Sequence, residues 1–147
     1  MKRVPSNQAE TMTEDLAESD PETGNRSPQG LLRSFCCALQ GLRLGIRAER
    51  NLRIHLGVAA LVCLAGGILQ LTPTEWALIS LAIGFVISAE LFNAAIERTL
   101  DRIGTDFHEL TRDAKDLAAA ATLISALAAV GVGVAVLGPK LWSWLLA

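Results

Sequence analysis

The sequence predicts an all-α integral membrane protein with three transmembrane helices and an amphipathic surface helix before them. Of its 147 residues, 51% are hydrophobic but only 5% are aromatic. A soluble core that apolar would usually hold more aromatic side chains, whereas Ala, Leu, Val, Ile and Gly suit helices packed closely in lipid. Three runs with few or no charges each have about 20 residues, the length of a helix that crosses the hydrocarbon layer.

The chain begins with a polar segment that is predicted to be a disordered, acidic tail. Residues 1–30 are rich in Pro, Ser, Thr and Glu and hold few aliphatic side chains. Such a composition cannot bury enough apolar surface to fold, and no apolar signal-peptide core follows the first basic residues. Residues 31–50 then place apolar side chains at helical spacing between arginines, which predicts a helix on the cytoplasmic membrane surface.

Three apolar segments follow, and each is predicted to be a transmembrane helix because only helices cross lipid with every backbone group paired. The segments are residues 54–71, 76–96 and 117–137. The turn between the first two is short, so these helices are antiparallel, while residues 97–116 form a charged cytoplasmic loop. Residues 31–147 are therefore predicted to be one membrane domain.

Basic residues set the predicted orientation of the spans. Five arginines lie within residues 33–53 and four basic residues within 97–116, whereas the turn after the first span has none. The positive-inside rule then places the N-terminus and the charged loop in the cytoplasm and the C-terminus outside. Trp76, Trp142 and Trp144 fall at the predicted outer interface, where amphipathic rings settle.

The second span is interrupted by polar side chains that share one helix face. At 3.6 residues per turn, all four fall within a stripe of about 80°. They are Glu90, Asn93, Glu97 and Asp101. An ionised glutamate inside hydrocarbon is costly and by default marks a functional site. The structural alternative is a protonated Glu90 that hydrogen-bonds to another helix.

Glu49 complements this stripe from the first span. Because the first two spans are antiparallel, Glu49 and Glu97 lie at the same predicted level, and two carboxylates near phosphate suit Mg²⁺. The alternative for Glu49 is a helix-surface ion pair with Arg53. Lys115 and Asp116 supply groups for a nucleotide at the membrane edge, since the sequence contains no Walker loop.

The remaining patterns exclude other classes of site. Cys36, Cys37 and Cys63 have neither zinc-site nor disulfide-framework spacing, so packing roles are expected. The sequence contains no dense basic tract of the kind that binds nucleic acid. Small side chains recur at every fourth position of the third span, which lets another helix approach closely. Self-association is expected because three helices cannot shield a polar stripe from lipid on every side.

A long stretch, residues 89–124 (AELFNAAIERTLDRIGTDFHELTRDAKDLAAAATLI), resembles the signature of the prokaryotic diacylglycerol kinase family of small trimeric membrane kinases. The pattern E-x-x-N-x-A-I-E-x-x-x-D matches from Glu90 to Asp101, and A-K-D matches residues 114–116. So many fixed spacings make the resemblance specific, and it extends from about Leu31 to the C-terminus.

Branch signatures within that family are mixed. Residues 48–55 (AERNLRIH) resemble the E-R-N-x-x-x-H segment of the undecaprenol kinase branch, whereas D-R-I-G and H-E-L resemble the Gram-negative diacylglycerol kinase branch. Gly30 and Asp113 stand where the Gram-negative branch has arginines. The acceptor lipid therefore stays open between diacylglycerol and undecaprenol, with the loop favouring diacylglycerol.

The resemblance implies an ATP-dependent lipid kinase of phospholipid metabolism, a homotrimer in the bacterial inner membrane with Mg²⁺ as cofactor, which converts diacylglycerol to phosphatidic acid. Glu90 would take the proton of the lipid hydroxyl, with Asn93 beside it in the lipid site. Glu49 and Glu97 would bind Mg²⁺. The implied ATP contacts are Glu49, Glu97, Asp106, Phe107, His108, Lys115 and Asp116, and the supporting residues are Asp101 and Asn51.

Other functional classes remain open from the residues alone. An intramembrane glutamate stripe also suits a small proton or ion transporter, and a non-catalytic membrane scaffold is a third alternative. Lys115 and Asp116 favour the kinase, because a proton relay needs no nucleotide-binding groups.

Overall fold

The computed structural model describes residues 28–104 and 108–146, and nearly all of them are helical. The helices of this described part are α1 Pro28–Ala48, α2 Arg50–Ile68, α3 Pro73–Ile103 and α4 Glu109–Leu146. The last three are long and apolar enough to cross a membrane. The predicted all-α class with three spans is therefore confirmed, while most of the predicted tail lies outside the described residues.

Residues 28–41 of α1 belong to one compact unit of the chain, and the helices from residue 42 onward belong to another. Within the first unit, Leu31, Leu32 and Phe35 are exposed apolar side chains. Exposed apolar positions at helical spacing are what a helix lying on a membrane surface needs.

A tight turn at residues 69–72 joins α2 to α3 and makes them antiparallel. α2 ends at Ile68, and Gln70 adopts a left-handed φ of 53°. α3 then starts with a capping box in which the side chains of Thr72 and Glu75 each accept the other residue's backbone N–H. A proline at the first helical position, where no N–H is needed, completes this start signal.

Two helix boundaries differ from the prediction. The predicted first span, residues 54–71, includes the turn, because the apolar run continues past the helix end and hides it. The predicted loop, residues 97–116, is helical over residues 97–103 and 109–116. Charged residues mark where the hydrocarbon layer ends, but a helix can continue into water, where its side chains are solvated.

A small core near the turn holds the three spanning helices together. Its buried side chains are Leu71, Ile79 and Val136. Lys140 of α4 adds a 3.1 Å ion pair with Glu75 and donates to the backbone carbonyl of Gln70 at 3.3 Å. Of the helix pairs, α3 and α4 have the most extensive contact. α4 is thereby fixed to the α2–α3 hairpin.

Much apolar surface stays exposed in the single chain. Phe85 and Phe92 of α3 are 66% and 71% exposed, although both lie within a candidate span. Lipid or further copies of the chain must cover such side chains in a membrane. The homotrimer remains a prediction.

Gly66 of α2 allows close packing near the turn, and we expect Gly66→Leu to destabilise the fold. A Cβ atom at Gly66 would lie 2.8 Å from Leu71 Cδ1 and 3.0 Å from the Trp76 ring, and overpacking typically costs about 1–3 kcal/mol. Gly67→Leu is the matched control, because a Cβ there meets nothing within 4 Å. The thermal unfolding midpoint in detergent should fall for Gly66→Leu only; equal midpoints for the two variants would contradict this packing.

Candidate active site

Among the described residues, Glu90 is the one charged residue that is buried, with 4% of the whole residue exposed. Its position on α3 brings its carboxylate to α2, where Nε2 of His55 lies 3.1 Å from Glu90 Oε1. The His55 side chain is 28% exposed. An interhelical contact, the structural alternative for Glu90, is therefore present, and it is compatible with the predicted catalytic role.

Asn93 and Glu97 lie about one turn apart on α3 and are hydrogen-bonded to each other. The amide nitrogen Nδ2 of Asn93 donates to Glu97 Oε1 at 3.0 Å. Because an ionised carboxylate only accepts hydrogen bonds, the amide nitrogen must face it, and the amide oxygen Oδ1 is left for another partner. That oxygen is buried and has no hydrogen-bond partner within the described chain. A buried acceptor without a donor is costly, so Oδ1 of Asn93 is suited to accept a hydrogen bond from a ligand.

A groove with a volume of about 630 Å³ between α3 and α4 includes Asn93 in its lining. Most of the lining is apolar, with Phe85 and Phe92 from α3 and Ala118 and Ala121 from α4. The hydroxyl-bearing residues of the lining are Ser80, Ser88 and Ser125. Such a groove fits a long hydrocarbon chain whose polar end reaches Asn93.

Glu49 lies between α1 and α2 and contacts α3 through its carboxylate. Nη2 of Arg98 donates to Glu49 Oε1 at 2.8 Å. Arg53, the alternative partner, instead donates through Nη1 to the backbone carbonyls of Ile46 and Arg47 at 3.3 and 2.9 Å. The Glu49 carboxylate thus forms its ion pair across the α2–α3 hairpin.

Lys115 of α4 forms an ion pair with α3. It lies at the end of the helices where Glu49 and Glu97 are found, and we call this end the charged end. Its Nζ donates to Asp101 Oδ1 at 2.6 Å, so a predicted ATP contact and a predicted supporting residue are paired. Asp116, Asn51 and His108 are exposed. Outside the described residues lie the two remaining predicted ATP contacts, Asp106 and Phe107.

Glu49 and Glu97 offer the oxygen donors that Mg²⁺ requires, but they do not form a closed metal cage. Over residues 28–104 and 108–146, no group of three or more His, Cys, Asp or Glu side chains could hold a metal ion. Mg²⁺ is usually held by one or two carboxylates together with water and substrate phosphates. The donor set therefore fits a Mg²⁺ ion that is bound together with a nucleotide.

Two partners in this site, His55 and Arg98, are not among the predicted functional residues. Each lies opposite a predicted residue across the α2–α3 hairpin: His55 opposite Glu90, and Arg98 opposite Glu49. His55 lies 13 residues before the end of α2, whereas Glu90 lies 17 residues after the start of α3, so equal distance from the turn does not identify this pair. Both pairs depend on how α2 is rotated against α3, which the sequence does not reveal.

The sequence profile described as prokaryotic diacylglycerol kinase matches residues 36–137, which include every described residue of the site. The chain is 38% identical over 109 residues to the undecaprenol kinase of Bacillus subtilis, across 74% of this chain and 89% of that relative. It is 40% identical over 114 residues to a diacylglycerol kinase of Synechocystis, across 77% of this chain and 65% of that relative. A diacylglycerol kinase of Haemophilus influenzae is 35% identical over 102 residues, which cover 69% of this chain and 86% of that relative.

Proposed function

Since the chain belongs to the prokaryotic diacylglycerol kinase family, and is therefore a multi-pass membrane lipid kinase that uses ATP, we propose that it phosphorylates the hydroxyl of diacylglycerol to give phosphatidic acid. One observation carries this proposal. A buried carboxylate, Glu90, lies one turn from an amide oxygen of Asn93 that lacks a donor within the described residues, and Asn93 lines an apolar groove. A lipid alcohol would supply the hydrocarbon chain for the groove and the donor for Asn93.

Glu90 is the general base in this proposal. The lipid hydroxyl donates to Oδ1 of Asn93 on entry and then gives its proton to Glu90 as its oxygen attacks the γ-phosphorus of ATP. The new O–P bond forms while the bond from the γ-phosphorus to the β–γ bridging oxygen breaks, and ADP leaves with that electron pair. Phosphoryl transfer depends mainly on positioning and electrostatics, so a site with few polar groups suffices.

Glu49 and Glu97 are the proposed ligands of the Mg²⁺ ion that accompanies ATP. Held by these two carboxylates, Mg²⁺ would supply positive charge that offsets the negative charge developing during transfer. Because Arg98 pairs with Glu49 at 2.8 Å, it must share or release this carboxylate when the ion binds. The proposed nucleotide contacts beyond the two carboxylates are Asp106, Phe107, His108, Lys115 and Asp116, with Asp101 and Asn51 in support.

We further propose that the charged end faces the cytoplasm, where ATP is available, and that three copies of the chain assemble in the inner membrane. The basic residues near the charged end support this orientation through the positive-inside rule. The exposed rings of Phe85 and Phe92 support association, because a neighbouring copy would cover them.

Polar groups beyond the hydroxyl discriminate between the two acceptor candidates. Diacylglycerol carries two ester carbonyls close to its hydroxyl that need donors, and the hydroxyl of Ser88, about 7.5 Å along α3 from Asn93, is able to donate. A polyprenol has no such carbonyls. Undecaprenol is the second candidate, because one of the relatives is named undecaprenol kinase and residues 48–55 resemble that branch.

A transfer assay with radiolabelled ATP, Mg²⁺ and one lipid at a time in mixed micelles tests the acceptor. We expect a higher kcat/KM with diacylglycerol than with undecaprenol. Ser88→Ala should lower kcat/KM for diacylglycerol only, and Ser143→Ala, which changes a serine outside this groove, is the control. A clear preference for undecaprenol would replace the first candidate by the second.

Replacing Arg98 tests the proposed competition for Glu49. We expect Arg98→Ala to lower the Mg²⁺ concentration for half-maximal activity, because the Glu49 carboxylate becomes free for the ion. Both side chains are partly exposed, at 40% and 27%, and such pairs contribute up to about 1 kcal/mol, so the change is at most about fivefold. Arg102→Ala, one turn further along α3, makes the same charge change and is the control. An increase in the half-saturating concentration would show that Arg98 helps to build the metal site.

A further inference from the structure

We propose that His55 is a positioning residue for Glu90: its imidazole Nε2–H holds one carboxylate oxygen so that the other can accept the proton of the lipid hydroxyl. This inference rests on the proposed role of Glu90 as the general base. His55 belongs to α2, whereas the polar stripe belongs to α3.

The burial of Glu90 explains why it needs such a partner. Its side chain is 5% exposed, and an ionised carboxylate is costly to bury without a hydrogen-bond donor. Within the described chain, the Glu90 carboxylate contacts Nε2 of His55 at 3.1 Å. The amide nitrogen of Asn93 donates to Glu97 rather than to Glu90. In the proposed arrangement, His55 is therefore the donor to the Glu90 carboxylate.

The position of His55 also limits what the Glu90 side chain can do. A glutamate has three rotatable side-chain bonds, so an unheld carboxylate would adopt several positions along the helix. A contact from a different helix, at 3.1 Å, would fix one oxygen relative to both α2 and α3. Because phosphoryl transfer depends on an in-line hydroxyl, the loss of this contact should slow the chemical step more than it weakens substrate binding.

His55 lines a second groove, of about 310 Å³, formed by α2, α3 and α4. A substitution of His55 therefore changes the shape of this groove as well as the contact with Glu90. Val58 lies one turn further along α2 and lines the same groove. Val58→Ala is accordingly the control for a change of groove shape that leaves the His55–Glu90 pair in place.

The kinetic test compares two substitutions of His55. His55→Leu removes the donor and should lower kcat about tenfold to a hundredfold, the loss expected for one hydrogen bond to a charged group, with KM for ATP and lipid changed less than about twofold. His55→Gln keeps an N–H donor and should recover most of kcat. Val58→Ala should match the wild-type protein. An unchanged kcat in His55→Leu would overturn the proposal.

A double-mutant cycle separates positioning from an independent role. If His55 acts through Glu90, adding His55→Leu to Glu90→Gln should lower the residual rate by less than about twofold, because coupled residues are not additive. An equal loss in both backgrounds would mean that His55 acts separately, for example on the lipid, and would also overturn the proposal.

A spectroscopic measurement tests the pair without any turnover. The chain has two histidines, so in ¹⁵N-histidine-labelled protein the His55 signal is identified as the one lost in His55→Gln. Glu90→Gln should shift the His55 ring nitrogens and leave those of His108 unchanged. Unshifted His55 signals would exclude the contact. If the wild-type protein phosphorylates no lipid but the signals do shift, the proposed function fails while the pair itself stands.

Discussion

Glu90→Gln should abolish most lipid phosphorylation while leaving the protein folded and able to bind ATP. Glutamine has nearly the same shape and keeps an oxygen that can accept from His55, but it cannot take up the proton of the lipid hydroxyl. General-base catalysis contributes about 10²–10⁴-fold, so we expect kcat to fall by that factor. The measurement is the steady-state rate with saturating lipid and Mg-ATP, together with ATP affinity by equilibrium binding.

Glu75→Gln provides the matched control for this result. It neutralises another carboxylate of α3, near the turn, and glutamine still satisfies the capping box with Thr72. Its kcat should stay near that of the wild-type protein. A near-normal rate in Glu90→Gln would exclude Glu90 as the base, whereas a loss of ATP binding would mean that the residue holds the site together instead.

Helical periodicity is sufficient to predict that the polar residues of the candidate site share one face of α3. The four polar positions share one stripe because the period of 3.6 residues is a local property of the backbone. The contacts across to α2 were not predicted, because they depend on the rotation of α2 about its own axis. α2 is apolar on most of its surface, so no polar face in its sequence reveals which side meets α3.

Hydropathy and helix capping carry different information about where elements end. The apolar run through Leu71 predicts how much chain is compatible with lipid, yet the helix ends at Ile68 because the next residues form a turn. The start of α3 was readable from Thr72 and Glu75, a capping-box pair three residues apart. The sequence does not reveal how far α3 extends beyond the lipid, because a solvated helix end shows no hydrophobic periodicity.

Glu97→Gln should weaken the response to Mg²⁺ rather than remove the base. Substitutions of residues that only surround metal ligands typically weaken metal affinity about tenfold to a hundredfold. Losing one of the two proposed carboxylate ligands should therefore raise the half-saturating Mg²⁺ concentration at least tenfold. Glutamine still offers Oε1 to the amide nitrogen of Asn93, so the lipid site should persist and KM for lipid should change little. A Mg²⁺ titration at fixed ATP, with activity measured at each concentration, gives the shift.

Asp113→Asn is the control for charge alone, because Asp113 is an exposed carboxylate at the same end, paired with Arg112 at 3.4 Å. If lost negative charge were the whole cause, both variants would shift the titration equally and high salt would remove the difference. A ligand role instead predicts a large shift for Glu97→Gln that persists at high salt, and a similar one for Glu49→Gln. An unchanged titration in Glu97→Gln would reject the metal site while leaving Glu90 as the base, because the two carboxylates lie two turns apart and act on different atoms.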